Sequence, residues 1–522
     1  MKSRQSAGLL LAAGFVLTAC TPSIPAAVEQ SRPSAVEPLT DPFAQTISWE
    51  PCEGPQVTTS PLPAPEDLEN YQCATIAAPM NWNDLNSDPI NLAIARYTGA
   101  GEDAPPLFFN LGGPGGDAVN SLSVFVEQML PEEISEHYQI VAMDPRGVGE
   151  STPIRCRTDE ELDQDLAGDD IDDPADLPID ERMALYRQEM ADFAAQCEER
   201  NGDIVGFVDT FSAAQDFEML RQLMGADSFD YVGYSYGTAL GAVYADTFPD
   251  KVGRMVLDGA LDPATDSNTL VALQARGMEE SLYHWIEWCH QQSSCPLDPG
   301  LEPSKKQIKE FLTQLDEAPL KTNDPERPLT ASLARTGIIG SLYSAESYPL
   351  LLQGMQMALN GNGTILLLLA DYYNGREDDG SYSNSQDAFT VINALDMEPV
   401  GTVDEWGAQA EQLREELPVL GEDFGFSSAG LEGWPIQPQQ RRTHVTAPGS
   451  APIVVVGTTH DPATPYVMAE SLAESLENAV LITVDDWNHG AYTQSGQECV
   501  QKAVSAYLLE GTVPAPLTCP GT

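Results

Sequence analysis

Short apolar runs alternate with helical periods over the first half of this 522-residue chain. Residues 106–110 and 138–143 are apolar runs that end in Gly-rich turns, a pattern typical of buried strands. Residues 212–224 carry apolar or small side chains at helical spacing, and another apolar run follows at 229–232. Strands that alternate with helices predict an α/β protein with a mostly parallel sheet, in which ligands bind at the carboxyl ends of the strands.

The character of the chain changes after an apolar run at residues 254–257. The following stretch is mainly helical in pattern, and strand patterns return only at 452–457 and 479–484, before a closing helix at 497–509. A sheet that is interrupted and then completed predicts one α/β domain with a helical cap. The predicted organisation is a core of residues 49–266 and 441–522, with a helical cap of residues 267–440 inserted before the last strands.

The N-terminus has the pattern of a secretory signal peptide. Basic residues precede an apolar stretch, residues 7–19, that is shorter than the ~20 residues of a transmembrane helix. It ends in Leu-Thr-Ala-Cys, which resembles the bacterial lipobox, so we expect residues 1–19 to be removed and Cys20 to carry lipid. A plain secretory signal with a coincidental cysteine is the alternative. Residues 20–48 are rich in Pro, Ser, Ala and Thr and predict a flexible tether to the outer face of the cell membrane.

The cysteine count fits an exported protein. Without Cys20, eight of the nine cysteines remain, and an even number in an exported chain predicts disulfides. Sequence alone does not choose among the 105 possible connectivities, but the cysteines fall in four local pairs, which favours sequential pairing. The expected pairs are Cys52 with Cys73, Cys156 with Cys197, Cys289 with Cys295, and Cys499 with Cys519. No Cys-x-x-Cys is present and the histidines are scattered, so we expect neither a metal nor a cofactor.

The charge balance excludes some partners. The chain has 80 acidic and 25 basic residues, a formal net charge of -55. Nucleic acids and anionic membrane surfaces attract clustered Lys and Arg, so neither is an expected partner, and contact with a membrane is expected through the lipid anchor alone. The simplest interpretation of the acidic residues is a well-solvated surface.

The chemistry is concentrated in the sequence Gly-Tyr-Ser-Tyr-Gly at residues 233–237. This G-x-S-x-G pattern lies directly after a predicted strand and before a predicted helix, 238–246, which is the context of a nucleophile elbow. An ordinary Gly-rich turn is the alternative interpretation of the five residues alone. The strand and helix on either side favour Ser235 as a catalytic nucleophile.

A serine nucleophile needs a histidine base and a carboxylate that orients it, and after such an elbow the chain order is Ser, acid, His. His489 follows the predicted strand 479–484 and is the candidate base, whereas the other histidines after the elbow lie in the insertion, before the returning strands or beside the acid. Asp461 follows the strand 452–457 and is the candidate acid. Its competitors, Asp485 and Asp486, lie on the same loop as the histidine.

An oxyanion hole requires two backbone N–H groups. Tyr236, the residue after the nucleophile, supplies one. The second is expected from the Gly-rich loop 111–116 that follows the strand 106–110, with Gly113 as the donor. A phosphate-binding loop is the rival interpretation, but the Lys-Ser/Thr of a P-loop is missing.

Five motifs along the chain, taken together and in their order, are informative about the family as well as about the chemistry. They are Gly112-Gly113-Pro114-Gly115-Gly116, Asp144-Pro145-Arg146-Gly147-Val148-Gly149, Gly233-Tyr234-Ser235-Tyr236-Gly237-Thr238, Asp461-Pro462-Ala463-Thr464-Pro465 and Asn488-His489-Gly490. Together they resemble the proline iminopeptidase and tripeptidyl aminopeptidase family of α/β-hydrolases, in particular its exported members. The resemblance extends from about Cys52 to the C-terminus and implies an α/β-hydrolase fold.

The resemblance also implies the activity. It implies hydrolysis of peptide bonds in peptide or protein substrates, usually with release of short pieces from a free N-terminus. The implied roles are nucleophile for Ser235, acid for Asp461, base for His489, and oxyanion hole for Gly113 with Tyr236. Leu111 departs from the His that proline iminopeptidases usually carry at this place, which weakens any inference about proline specificity.

Two other functions use the same sequence features. A carboxylesterase or lipase would share the triad, and a non-catalytic envelope lipoprotein would retain the fold without the chemistry. An aminopeptidase needs carboxylates near the substrate amine, and Glu279, Glu280 and Glu287 are candidates in the cap, although chance placement explains them as well. Asp144 and Arg146 are expected to brace the sheet near the oxyanion loop.

Overall fold

The computed structural model describes residues 41–52, 68–168, 177–421, 424–441, 443–494 and 496–521. The predicted signal peptide, Cys20 and most of the predicted tether therefore lie outside the described residues. Among the described residues, no helix has the length and apolar character that crossing a membrane requires.

Ten strands of the described chain form one sheet. They are Glu50–Pro51 (β1), Tyr71–Asn81 (β2), Asp84–Tyr97 (β3), Pro106–Asn110 (β4), Gln139–Met143 (β5), Phe229–Tyr234 (β6), Val252–Asp258 (β7), Ile453–Thr458 (β8), Ala479–Asp485 (β9) and Leu517–Pro520 (β10). Their order is β1-β2-β3-β5-β4-β6-β7-β8-β9-β10. The pairs from β1 to β5 are antiparallel, and all pairs from β5 through β4 to β10 are parallel.

The strand order reverses at β4, which lies between β5 and β6. The chain leaves β4 toward one side of the sheet and returns on the other, so the loops that follow β4 and β6 diverge and leave a crevice at their carboxyl ends. Ligands of open α/β sheets bind at such a point. The Gly-rich loop 111–116 and the elbow follow these two strands.

The helices before the cap cover both faces of the sheet. They are Leu122–Val124 (α1), Glu132–Ser135 (α2), Asp159–Ala167 (α3), Ile179–Asn201 (α4), Thr210–Leu223 (α5) and Tyr236–Thr247 (α6), with a π-helical turn at Phe125–Met129 and 3₁₀ turns at Pro42–Ala44, Leu68–Asn70, Gly202–Gly206 and Pro249–Lys251. Phe217 of α5 and Leu240 of α6 belong to the apolar core on one face, and Leu122 of α1 belongs to the core on the other.

The described part of the cap is mainly helical, with two isolated β-bridges at Leu320–Leu329 and Arg376–Tyr382. Its helices are Ser267–Gln291 (α7), Leu301–Glu317 (α8), Ala331–Ser341 (α9), Tyr348–Leu359 (α10), Thr364–Asn374 (α11), Ser385–Asp396 (α12), Val403–Glu416 (α13) and Ser427–Gly433 (α14), with a 3₁₀ turn at Ala345–Ser347. Two helices follow it and complete the core, Tyr466–Ser475 (α15) and Glu498–Glu510 (α16). Side chains of α7 to α11, such as Trp285 and Leu351, form an apolar core of the cap's own.

Two helices that precede the cap in the sequence also contribute to the helices that surround it. The predicted first part of the core includes α3 and α4; Ala194 and Cys197 of α4 lie in the apolar core of the sheet, and both helices also pack on the cap. Met183 of α4 is buried against Trp406 and Ala429, and Ser332 of α9 donates a hydrogen bond of 2.9 Å to the carbonyl oxygen of Leu166. The partner of an amphipathic helical face is set by the tertiary fold.

The strand at Asp84–Tyr97 also differs from its pattern. The alternation of Ile90, Leu92 and Ile94 with smaller or polar residues predicts a half-buried strand, yet Ala93 and Ala95 are buried as well. Helices cover both faces of the sheet, so small apolar residues fill the second face. The pattern over β2 did not predict a strand at all.

Among the described cysteines, four disulfides join neighbours in sequence. They are Cys52–Cys73, Cys156–Cys197, Cys289–Cys295 and Cys499–Cys519. The pairing is the sequential one that the local spacing favours. The second of these ties the loop after β5 to the end of α4, which fastens part of the helical layer to the core.

Candidate active site

The elbow joins β6 to α6. Ser235 has φ 54° and ψ −126°, a backbone conformation that residues with side chains rarely adopt. Glycine is required on both sides, because a Cβ at Gly233 would lie 2.4 Å from the carbonyl oxygen of Gly237, and one at Gly237 would lie 2.5 Å from that of Asn110. The strained turn therefore holds Ser235 at the N-terminus of α6, where the helix dipole favours developing negative charge.

The Gly-rich loop after β4 packs against the elbow. A Cβ at Gly112 would lie 2.6 Å from the carbonyl oxygen of Tyr234 and 2.9 Å from the Cβ of Ser235, so this contact requires glycine. Gly113 and Tyr236 line the same cavity as Ser235, and Tyr236 is the first residue of α6. The two residues that the sequence predicts as the oxyanion hole thus lie at the candidate nucleophile.

Asp461 and His489 form a hydrogen-bonded pair. The Nδ1 of His489 lies 2.9 Å and 3.0 Å from the two carboxylate oxygens of Asp461, which is buried. The carboxylate also accepts hydrogen bonds from the backbone amides of Ala463, Thr464 and Gly490, at 2.8–3.1 Å. Donors on several sides stabilise the charged carboxylate and fix its orientation toward the imidazole.

The segment between β7 and the cap adjoins both the elbow and the loop of His489. The backbone amide of Ser235 donates a 3.1 Å hydrogen bond to the carbonyl oxygen of Asp258, the last residue of β7. A Cβ at the next residue, Gly259, would lie 3.3 Å from Cε1 of His489. The segment Asp258–Gly259 therefore adjoins both the elbow of Ser235 and the ring of His489, which lie more than 200 positions apart in the sequence.

The cap contacts the loops of both the acid and the base. The backbone amide of His489 donates a 2.8 Å hydrogen bond to the carbonyl oxygen of Tyr343, and the edge of one ring faces the other at 5.4 Å. Gln274 of α7 donates a 2.9 Å hydrogen bond to the carbonyl oxygen of Ala463, beside Asp461. The cap therefore helps to position the pair, a role that the sequence did not reveal.

Two histidines that the sequence argument rejects lie beside the loop of His489. The rings of His284 and His460 stack on opposite sides of Trp487, with centroids 3.9 Å and 4.0 Å from the indole. His460 is also 3.2 Å from a carboxylate oxygen of Glu280. These contacts fasten the loop of His489 to α7 and give both histidines a structural role.

Asp258 is the residue of the site that the sequence analysis missed. Its buried carboxylate accepts hydrogen bonds from the amides of Ala491 and Tyr492, at 3.1 Å or less, and so holds the loop of His489 from below. Burial raises the pKa of Asp258 to about 6 despite these donors. Its place at the end of a predicted strand was the only available signal, and many acids share it.

The pKa of His489 lies above the ordinary value of an imidazole. Burial lowers it, but the charge of Asp461 and the hydrogen bond to that carboxylate raise it by more, and the charge of Asp258 adds to the increase. A catalytic base must be neutral. We therefore expect kcat/KM to fall as the pH is lowered through a pKa above about 6.5, the usual value for histidine.

We expect Asp258→Asn to move this acidic limb to lower pH, because the substitution removes a negative charge that favours the imidazolium. The maximal kcat/KM is expected to fall about tenfold, since an amide group faces the amides of Ala491 and Tyr492 less well than a carboxylate does. The measurement is the pH profile of kcat/KM. Asp262→Asn is the control, because that buried carboxylate bonds to Ala264 and Ser471 instead. An unmoved limb in Asp258→Asn would contradict the assignment.

A cavity of about 200 Å³ opens at Ser235 between the core and the cap. The elbow and oxyanion loop form its floor, and side chains of α7, α12 and α14 form much of its wall. The lining includes Leu270, Gln274, Phe389, Asn393, Met397, Ser427 and Leu431. No acidic or basic side chain is among the described residues that line it. The cavity suits an apolar or neutral acyl group.

The other candidate acids are occupied or distant. Asp485 is exposed and accepts a hydrogen bond from Thr459, while Asp486 is buried and accepts one from Asn488. Glu279 is buried, and its carboxylate accepts the amides of Val419 and Leu420. None of the three carboxylates considered for the substrate amine is among the described residues that line the cavity, and Glu287 is exposed.

The motif Asp144–Gly149, directly after β5, has a structural role. Arg146 is fully buried and forms two hydrogen bonds with Asp216, at 2.6 Å and 2.7 Å. Asp144 accepts the amides of Ala118 and Val119, in the segment that follows the oxyanion loop, and burial raises its pKa to about 7. Both residues brace the sheet and the loop above it. Among the described residues, no group of three or more His, Cys, Asp and Glu side chains is placed to hold a metal ion.

Comparisons with known proteins agree with this geometry. The family profile of the α/β hydrolase fold matches residues 105–299, and that of the TAP-like proteins matches residues 418–519. The serine protease Hip1 of Mycobacterium tuberculosis (strain ATCC 25618 / H37Rv) is 33% identical over 523 residues, which cover 97% of this chain and 95% of that protein. The chain belongs to the α/β-hydrolase serine peptidases of the tripeptidyl aminopeptidase family.

Two further proteins are similar to this chain over nearly its whole length. Carboxylesterase B of the same M. tuberculosis strain is 35% identical over 517 residues, covering 98% of this chain and 96% of that protein. The tripeptidyl aminopeptidase of Streptomyces lividans is 25% identical over 486 residues, covering 91% and 86%. The family and the α/β-hydrolase fold predicted from the sequence are confirmed, and the chain is a serine hydrolase.

Proposed function

We propose that this chain is an exported, lipid-anchored serine peptidase that releases short peptides from the N-termini of its substrates. The observation that carries the proposal is the buried Asp461–His489 pair beside the strained elbow of Ser235. The relatives named serine protease and tripeptidyl aminopeptidase support peptides as the substrate class.

In the proposed reaction, His489 takes the proton of the Ser235 hydroxyl as the oxygen attacks the substrate carbonyl. Asp461 holds the imidazole in the tautomer that accepts at Nε2 and stabilises the imidazolium that forms. The amides of Gly113 and Tyr236 donate to the oxyanion, at the positive end of α6. His489 then protonates the leaving amine, and water hydrolyses the acyl-enzyme by the same steps in reverse.

The uncharged cavity favours release of more than one residue. If only one residue preceded the scissile bond, the protonated N-terminal amine of the substrate would lie in the cavity. No carboxylate among the described lining residues would pair with it there. Burial of an unpaired ammonium costs several kcal/mol, on the order of the effective penalty for a buried ion. A longer N-terminal piece reaches past the cavity and leaves the amine in water, which agrees with a tripeptidyl product.

The proposed location follows from the lipobox-like sequence that ends at Cys20. A lipid on this residue would hold the enzyme at the outer face of the membrane, with residues 20–48 as the tether. We expect the protein to partition with the membrane fraction and Cys20→Ala to be found in the soluble fraction. Membrane association of Cys20→Ala equal to that of the unsubstituted protein would overturn the anchor.

A carboxylesterase is the second candidate function. An apolar cavity also suits the acyl group of an ester, and one relative is named carboxylesterase B. The same triad cleaves both bonds, so the geometry of the catalytic groups does not separate the two functions.

Tripeptide p-nitroanilides with free and with blocked N-termini, assayed beside p-nitrophenyl esters, separate these functions. We expect turnover of the free tripeptide anilide and slower turnover of the single-residue anilide. Turnover of esters alone would overturn the peptidase in favour of the esterase. Equal turnover of blocked and free peptides would show that the enzyme is an endopeptidase and not an aminopeptidase.

A further inference from the structure

The outer face of α11 exposes large apolar side chains. Leu368 is 51% exposed, Tyr372 is 84% exposed and Tyr373 is 42% exposed. The two tyrosines are the only exposed ones in the described part of the chain. Leu368 and Tyr372 are four residues apart on a helix, so their side chains lie next to each other. We name this surface, formed by Leu368, Tyr372 and Tyr373, the tyrosine shelf.

One end of the shelf reaches the catalytic base. The hydroxyl of Tyr373 is 3.2 Å from the hydroxyl of Tyr343, and their rings are 5.7 Å apart. The rings of Tyr343 and His489 in turn make an edge-to-face contact. The carbonyl oxygen of Tyr343 accepts a hydrogen bond from the backbone amide of His489. A single side chain therefore separates the shelf from the imidazole.

The shelf also adjoins the oxyanion loop. Gly375 ends α11, and a Cβ there would lie 3.3 Å from the hydroxyl of Ser385, the first residue of α12. The carbonyl oxygen of Ser385 would lie 2.6 Å from a Cβ at Gly115. Phe389, one turn further along α12, lines the cavity at Ser235 and is itself 46% exposed. The C-terminal end of α11 thus approaches the start of α12, beside the oxyanion loop and the mouth of the cavity.

We propose that the tyrosine shelf binds the part of an extended polypeptide substrate that follows the scissile bond. This inference rests on the proposed peptidase function. In acyl transfer the base protonates the leaving amine, so the leaving segment begins within hydrogen-bond reach of His489. The acyl segment fills the cavity, and the leaving segment emerges beside the imidazole, where Tyr343 and then the shelf are the adjacent surface.

The side chains of the shelf define the substrate chemistry. Tyrosine offers a large apolar ring with a polar tip and loses little conformational entropy, which suits contact with a peptide. Asp371 of α11 lies next to Tyr372 in the sequence. Its two carboxylate oxygens accept hydrogen bonds from the guanidinium of Arg327, at 2.6 Å and 2.7 Å. The shelf therefore selects apolar or aromatic residues after the scissile bond. A p-nitroanilide ends in a single ring directly after that bond, and because Tyr343 lies between His489 and the shelf, this ring does not extend to the shelf.

The test compares two substrates that share an acyl segment. One is a free tripeptide joined to p-nitroanilide, and the other is the same tripeptide continued by four apolar and aromatic residues in an internally quenched peptide. We expect Leu368→Ser with Tyr372→Ser to lower kcat/KM for the long peptide about 5- to 10-fold, mainly through KM, as loss of exposed aromatic contacts does. Turnover of the p-nitroanilide is expected to stay within about twofold. Leu185→Ser, at a 43% exposed leucine of α4, is the control.

Each other outcome overturns the proposal. Equal losses for both substrates would show that the shelf supports the fold or the base. Unchanged kcat/KM for the long peptide would show that the leaving segment does not touch it. A change of oligomeric state in the double variant would make the shelf an interface between copies, and loss of binding to vesicles of phosphatidylcholine would make it a lipid contact. Turnover of esters alone by the unsubstituted enzyme would instead overturn the peptidase function and the shelf with it.

Discussion

Replacement of Ser235 by alanine is expected to lower kcat by about 10⁴- to 10⁶-fold, the range seen when a serine nucleophile is removed. The hydroxyl oxygen is the only atom lost, and the φ of 54° at this position strains alanine no more than serine. We expect the variant to fold and to keep its substrate affinity, because Gly113, Tyr236 and the cavity wall are unchanged. The measurement is single-turnover kinetics on the free tripeptide anilide, with labelling by a fluorophosphonate as a second readout.

Ser427→Ala is the matched control for Ser235→Ala. Ser427 lines the same cavity from α14 but does not lie on the elbow, so we expect kcat to change less than about threefold. Full activity or undiminished labelling in Ser235→Ala would overturn the proposed mechanism. A comparable loss in Ser427→Ala would mean that the cavity, and not the nucleophile, limits the reaction.

Replacement of Asp461 by asparagine is expected to lower kcat by about 10⁴-fold. An amide oxygen carries no full charge and does not stabilise the imidazolium. The amide nitrogen of asparagine would face the backbone donors of Ala463, Thr464 or Gly490 or the imidazole itself, so His489 would adopt the wrong tautomer. The loss should appear in kcat with KM little changed, and the acidic limb of the pH profile should move to lower pH because the raising charge is removed.

Asp485→Asn is the control for this second substitution. The sequence offers Asp485 as a competing acid, but its carboxylate is exposed and bonds to Thr459. We expect activity within about twofold of the unsubstituted enzyme. Activity retained in Asp461→Asn and lost in Asp485→Asn would reverse the assignment of the acid.

Local chemistry explains what could be predicted. The glycines of the elbow are needed because Gly233 and Gly237 are in contact with main-chain atoms, and that requirement is written in five consecutive residues. Apolar runs located the strands from β4 to β9 within one or two residues, because strands buried on both faces exclude polar residues. The order of Ser235, Asp461 and His489 then followed from their places after β6, β8 and β9.

Burial and pairing explain what could not be predicted. Asp258 and Glu279 are buried acids, and their local sequences do not show which backbone amides their carboxylates hold. The strand β2 was missed because its small and polar residues have no clear period. The packing of α3 and α4 on the cap depends on partners about 170 to 250 positions away in the chain.

The sequence by itself determined the fold class, the elbow and the nucleophile, base and acid candidates. The elbow depends on five consecutive residues, and the fold class and the other candidates depend on the order of strands, helices and motifs along the chain. Only the tertiary structure decided that Asp258 supports the loop of His489, that Tyr343 of the cap contacts His489, and that the described residues lining the cavity are uncharged. Those features depend on which distant surfaces meet. A carboxylate or a tyrosine acquires its role from the donors, rings and water that the fold places around it.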